Sequence, residues 1–125
     1  MANQPTIVIA TSNPGKLKEF ELLMPKFNII SQSSLGIVPE EELGGTFFEN
    51  SLHKARVVNN ASGMTSLGDD SGLIVPALNN LPGLRSARYA HENATDEENR
   101  QHLKNELKKL QLNQTNAYFV CVLVL

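Results

Sequence analysis

Leu67-Gly68-Asp69-Asp70-Ser71-Gly72-Leu73-Ile74-Val75 sets two adjacent carboxylates inside an apolar, strand-like run. The 125-residue chain holds only three aspartates, and two of them stand here. Buried side by side, they would lose hydration and repel each other, which raises the pKa of one unless a cation or several hydrogen-bond donors keep both ionised. A divalent metal supplies that charge. Gly68 and Gly72 would let the backbone bend or bulge until both carboxylates reach one point. The same Asp-Asp-Ser-Gly sequence also suits a hairpin turn, and local pattern does not choose between turn and site.

Working outward, Thr6 to Ala10 is a short β-branched strand, followed by the polar turn Thr11-Ser12-Asn13-Pro14-Gly15. Asn13 suits an N-cap and Pro14 the first helical position, so a helix follows, with Leu17, Phe20 and Met24, or alternatively Leu23, at core spacing before Pro25 ends it. Phe27 to Ile30 reads as a second strand. Thr46-x-x-Glu49 forms a capping box that opens a helix to about Ser62, with Phe48, Leu52 and Ala55 as its core stripe. Thr65 to Val75 is the third strand, and Pro76 marks its end as an edge or bend. Leu81-Pro82-Gly83 is a turn. Thr95-x-x-Glu98 caps a helix striped by Leu103, Leu107 and Leu110, and the continuously apolar Ala117 to Leu125 reads as a fully buried strand. The order βαβαββαβ predicts one α/β domain over residues 1–125, a mixed sheet with flanking helices.

Composition narrows the function. With 41% hydrophobic residues the chain can build a real core, and a net charge of −2 gives no broad field for nucleic acid or an anionic membrane. The single cysteine, Cys121, excludes a disulfide framework within the chain, suits a reducing compartment and reads as a buried core thiol. No signal-peptide pattern opens the sequence and no apolar stretch approaches the length of a membrane span, which predicts a cytoplasmic protein.

Around the helix start at Thr11 to Lys16, backbone N–H groups, Thr11, Ser12, Asn13 and a lysine could cradle phosphate, without the glycine spacing of a P-loop or dinucleotide motif. Asn50 and Lys54, four residues apart, share a helix face, for which an ordinary solvated face is the simpler reading. One glutamate of Glu40-Glu41-Glu42 could join Asp69 and Asp70 around Mg²⁺. Arg88 of Ser86-Ala87-Arg88-Tyr89 suits either a phosphate or a surface acid. His53, His91 and His102 lack metal-ligand spacing, and no Ser/His/Asp or Cys/His set stands out. Any catalysis is then metal-assisted with a carboxylate base.

Five ordered blocks carry a resemblance: Thr11-Ser12-Asn13-Pro14-Gly15-Lys16-Leu17-x-Glu19; Thr46-Phe47-Phe48-Glu49-Asn50-x-x-x-Lys54-Ala55-Arg56; Asp69-Asp70-Ser71-Gly72-Leu73; Pro82-Gly83-x-x-Ser86-Ala87-Arg88-Tyr89; and Phe119-x-Cys121-Val122-Leu123. Together they resemble the inosine triphosphate pyrophosphatase family, the noncanonical purine NTP pyrophosphatases of the Ham1 type. The resemblance implies Mg²⁺-dependent hydrolysis of ITP, dITP and XTP to the monophosphate and pyrophosphate by a homodimer. It implies that Thr11, Ser12, Asn13, Pro14, Gly15 and Lys16 hold substrate phosphates, that Lys54 binds phosphate and supports catalysis, and that Ser71 contacts substrate. It makes Asp70 the catalytic base and a metal ligand, with Asp69 beside it and Glu42, or alternatively Glu41, completing the acidic site.

The sequence also departs from that family. Its Gly-Phe-Gly-Tyr-Asp-Pro and Ser-His-Arg blocks, which surround the purine base, have no counterpart here, so this chain is expected to be the N-terminal part of a longer protein. His91 stands where glycine is common. A Maf-type pyrophosphatase for other modified nucleotides, and a metal- and nucleotide-binding module without catalysis, are the alternative readings.

Overall fold

The computed structural model describes residues 3–125. Its elements follow the predicted order: β1 (Thr6–Ile9), α1 (Pro14–Leu23), β2 (Asn28–Ser31), α2 (Phe47–Ser62), β3 (Ser66–Val75), β4 (Leu81–Pro82), α3 (Asp96–Lys109) and β5 (Tyr118–Val124), with short 3-10 turns between. The sheet is mixed. β1 lies parallel to β2 and β3, β3 runs antiparallel to β4, and β5 pairs with β3. Contacts divide the chain into two units, one up to Asp70 together with Val122–Leu125, the other Ser71–Cys121.

In the first unit, alternation along β1 distributes the core. Ile7 and Ile9 pack with Ile29, Leu67 and Phe20, and Leu17 and Met24 of the α1 segment close over them. Val8 and Ala10 pack with Val58 of α2, Ile30 and Met64. Successive strand side chains point to opposite faces, so α1 covers one face of the sheet and α2 the other. α1 starts as its sequence predicts, with the Asn13 side chain accepting from the Gly15 and Lys16 amides and Pro14 at its head.

α2 corrects the expected stripe. Phe48 is exposed, and the residues that α2 buries are Asn50, Ser51, Ala55 and Val58. The cause is Gly68 on β3. A β-carbon there would collide with the Ser51 carbonyl oxygen and stand 2.9 Å from the Ala55 amide nitrogen, so the helix backbone lies directly against the strand. Small residues must fill that contact, and large apolar ones cannot. Ser51, fully buried, donates its hydroxyl to the Val122 carbonyl at 2.7 Å. The capping box at Thr46 is only half made: Thr46 accepts from the Glu49 amide, but Glu49 turns to the Gly45 amide.

In the second unit, the Ser86 hydroxyl accepts from the Leu73 amide at 2.8 Å and donates to the Gly83 carbonyl at 2.6 Å. The Asn99 side chain ties α3 to the Ala87 carbonyl and the Ala90 amide. The capping box of Thr95 and Glu98 is complete, and hydrogen bonds from His91 and then Thr95 pull Glu98 down to about 2. Arg88 pairs with Glu92, a surface acid. α3 buries none of its leucines fully, and Leu110 is exposed.

β5 overturns its expectation. Tyr118, Phe119, Leu123 and Leu125 are exposed, and so is Cys121, which is no core thiol. A continuous apolar run marks a strand with two faces to cover, but covering them is a tertiary matter. Among the described residues no helix is long and apolar enough to cross a membrane.

Replacing Gly68 with Ala is expected to destabilise the protein by about 3 kcal/mol, the upper range for forcing an extra carbon into a packed contact. Chemical denaturation measures it. A loss below about 0.5 kcal/mol, typical of a surface change, would mean that α2 is not held against β3 at this point.

Candidate active site

The strand alternation that sorts the core also sorts the two carboxylates. Ile9 pairs in register with Leu67, and Val8 with Ser66. Asp69 therefore falls on the α1 face with Leu67, and Asp70 on the α2 face with Ser66 and Gly68. Each meets its own helix. Lys16 of α1 reaches Asp69 Oδ2 at 2.9 Å, and Lys54 of α2 stands 3.8 Å from Asp70 Oδ1. The glycines thus do not bend both carboxylates to one point; Gly68 admits α2 and its lysine instead.

Lys54 is shared. Its ammonium donates to the Asp69 backbone carbonyl at 2.9 Å and pairs with Glu42 of the acidic loop at 2.6 Å, closer than it comes to Asp70. Asp70, only 5% exposed, keeps its Oδ2 buried and without a partner. Burial above all, and then the Glu42 charge, raises the Asp70 pKa above the ordinary carboxylate value; a hydrogen bond from Asn50 and the Lys54 charge oppose the rise, and Asp69 adds least. Repulsion between the adjacent aspartates is the minor effect because the strand sends them to different faces.

A cleft of about 390 Å³ opens beside this cluster, lined by Thr11, Ser12, Asn13, Glu42, His53 and Lys54 among others. Of the predicted phosphate cradle, Pro14 and Gly15 lie on the exposed first turn of α1 and do not line it. The amides of Gly15 and Lys16 are taken by the Asn13 cap, and that of Asn13 by Thr11 Oγ1 at 3.0 Å. An anion here would meet side chains in place of those amides. Glu41 is exposed and does not line the cleft, while Glu40 does, 3.8 Å from His53. Ser71 follows Asp70 in β3, half-buried, in the second unit.

Among the described residues no three His, Cys, Asp or Glu side chains form a ready metal cage. The two ammonium groups lie among the carboxylates Glu42, Asp69 and Asp70 instead. Sequence reasoning undervalued Asn50. It is 3% exposed, with its Oδ1 accepting from the Gly44 amide at 2.8 Å and its side chain hydrogen-bonded to Asp70. Its spacing four residues before Lys54 was the available signal; the close passage over Gly68 that buries it was not visible.

Asp70 should therefore cost the fold stability. Because its folded-state pKa is raised, the unfolded chain ionises first as pH climbs, so stability falls from the ordinary carboxylate pKa upward and the loss is complete above the folded-state pKa. Without added metal, Asp70→Asn is expected to raise Tm at pH 7 and to change it little near pH 4. A variant that is less stable than wild type at pH 7, or equally shifted at both, would overturn this account of Asp70.

The Ham1 family model matches residues 7–125. The dITP/XTP pyrophosphatase of Legionella pneumophila strain Paris is 47% identical over 119 residues, covering 95% of this chain and 61% of that protein. That of Haemophilus influenzae strain Rd is 48% identical over 120 residues, covering 94% and 62%. Among solved structures, a HAM1 protein from Coxiella burnetii superposes with a TM-score of 0.87 at 39% identity, over 95% of this chain and 61% of that one. The Staphylococcus aureus Ham1 protein gives 0.80 at 42% identity, over 94% and 61%. The chain thus spans 61% of the length of the first of these curated relatives. With its family model matched from the first strand to the last residue, the chain belongs to the Ham1 family.

Proposed function

We propose that this protein hydrolyses noncanonical purine nucleoside triphosphates, ITP, dITP and XTP, to the monophosphate and pyrophosphate. The observation that carries the proposal is Asp70: a buried carboxylate with an unpartnered oxygen, its pKa raised, 3.8 Å from the Lys54 ammonium. A group so held wants a proton or a cation. The relatives named dITP/XTP pyrophosphatases support the substrate class.

Water adds to a phosphoryl group, the bond between the α- and β-phosphates breaks, and Asp70 takes the proton from the water. Lys54, lining the cleft, and Lys16, beside it on Asp69, offset charge on the phosphoryl oxygens. Thr11, Ser12 and Asn13 supply side-chain contacts to the phosphates, and Ser71 contacts substrate. The donor set fits Mg²⁺, which takes one or two carboxylates and completes its shell with water and substrate phosphates. Glu42 and Asp70, which meet at Lys54, would hold it; Asp69, expected from the sequence to join them, is turned to the α1 face and paired with Lys16 instead. When bound, the ion neutralises triphosphate charge and polarises the phosphoryl oxygen.

We place the protein in the cytoplasm, as the lone thiol suggests, and infer a homodimer, for which the exposed apolar side chains of β5 are suitable contact surface. Pyrophosphate release from ITP and XTP beside ATP and GTP, with Mg²⁺ and with EDTA, tests the reading. Turnover of ITP and XTP lost with EDTA is the expected result, and Asp70→Asn is expected to reduce it by about 10²- to 10⁴-fold, the usual value of a general base. Retained turnover in that variant would remove Asp70 as the base. Preference for other modified nucleotides would favour a Maf-like activity, and calorimetric ITP binding without product a binding module.

A further inference from the structure

We propose that Asn50 is a positioning residue for Asp70: its buried amide ties the acidic loop to the carboxylate and fixes which oxygen of Asp70 stays bare. The inference rests on the hydrolytic reading above. Three observations carry it. First, the orientation of the amide is determined. A backbone N–H can only donate, so the 2.8 Å bond from the Gly44 amide requires Asn50 Oδ1 to face the loop. That leaves the NH₂ group for Asp70, the other partner of the side chain. Second, the approach of the loop is built in. A β-carbon on Gly44 would collide with Asn50 Oδ1 and stand 2.9 Å from the Glu49 β-carbon, so glycine is what lets the loop come this near. Third, the tie spans both sides of the site. Glu42 lies two residues before Gly44 and pairs with Lys54, while Asp70 receives the amide and keeps Oδ2 without a partner.

A second bond from loop to helix, Gly45 N to Glu49 Oε2 at 3.3 Å, is exposed and longer, so the buried Asn50 is the firmer anchor. An amide is suited to this place in a way that neither acid nor hydrocarbon is. It accepts from the loop and donates to the carboxylate at once. A carboxylate would keep the first contact and repel Asp70; alanine would lose both.

Two variants and two readouts test the proposal on the whole protein. For Asn50→Ala, the Gly44 amide is expected to lose its protection from hydrogen exchange, and kcat for pyrophosphate release from ITP to fall about 10- to 100-fold, as for residues that orient a catalytic group. KM should stay within about threefold, because ground-state binding is not what the residue supplies. For Asn50→Asp, which has the same shape, Gly44 stays protected while kcat falls as far. That split is what a merely structural role would not give. Activity within about threefold of wild type in both variants, Gly44 protection unchanged in Asn50→Ala, or protection lost in Asn50→Asp would each overturn the proposal. Should Asn50→Ala fail to fold, Asn50→Asp carries both readouts. Should wild-type protein release no pyrophosphate, the hydrolytic reading fails, and Gly44 exchange still decides whether the tie exists.

Discussion

The contact between the α2 backbone and Gly68 is the constraint from which the site follows. It sets the depth at which the helix lies on the sheet, and so the height of every side chain that the helix presents to β3. Ser51 and Ala55 are small because they sit at the crossing, with Val58 one turn on in the core. Lys54, one residue before Ala55, then comes level with the Asp69 carbonyl and reaches Asp70 and Glu42 from one position. Asn50, one turn earlier on the helix, comes level with Gly44 and Asp70. A larger residue at 68 would lift the helix and separate all these groups together, without touching any of them.

Sheet geometry supplies the second part. Because β3 keeps its alternation through Asp69 and Asp70, a pair of adjacent acids becomes two separate electrostatic problems on two faces. On the α1 face, Asp69 has a close lysine, Lys16 at 2.9 Å. On the α2 face the compensation is incomplete. Lys54 has three protons to donate, and its short contacts go to Glu42 and the Asp69 carbonyl, leaving Asp70 at 3.8 Å. The burden on Asp70 is thus burial first and the Glu42 charge second, with its neighbour in sequence last.

Local chemistry was legible in the sequence and clearances were not. Asn13 and Pro14 announce the head of α1, and Thr95 with Glu98 that of α3, because caps depend on residues within one turn. The buried face of α2 could not be read from large apolar residues, since Phe48 points to solvent and the crossing is made by small ones. The half-made capping box at Thr46 has a similar origin: the loop that Asn50 draws in brings the Gly45 amide to Glu49. β5 was legible as a strand and illegible as a surface, because the run of apolar residues is local and what covers a strand is not. The two aspartates were legible as unusual, but the gathering of both at one point assumed a bulge that a regular strand made unnecessary.

The asymmetry between the two aspartates bears on how such a site combines stability with chemistry. The Asp69 carboxylate, paired with Lys16 at 2.9 Å, adds to the anchoring of α1. A carboxylate with one oxygen bare in a buried place is costly to the fold and correspondingly eager for a proton or a cation. Placing the two on opposite faces of one strand lets the first secure α1 while the second stays unsatisfied under α2. The same regular backbone thereby holds both, and the cost of the unsatisfied group is borne by packing at Gly68, Ser51 and Val58, which takes no part in the proposed reaction.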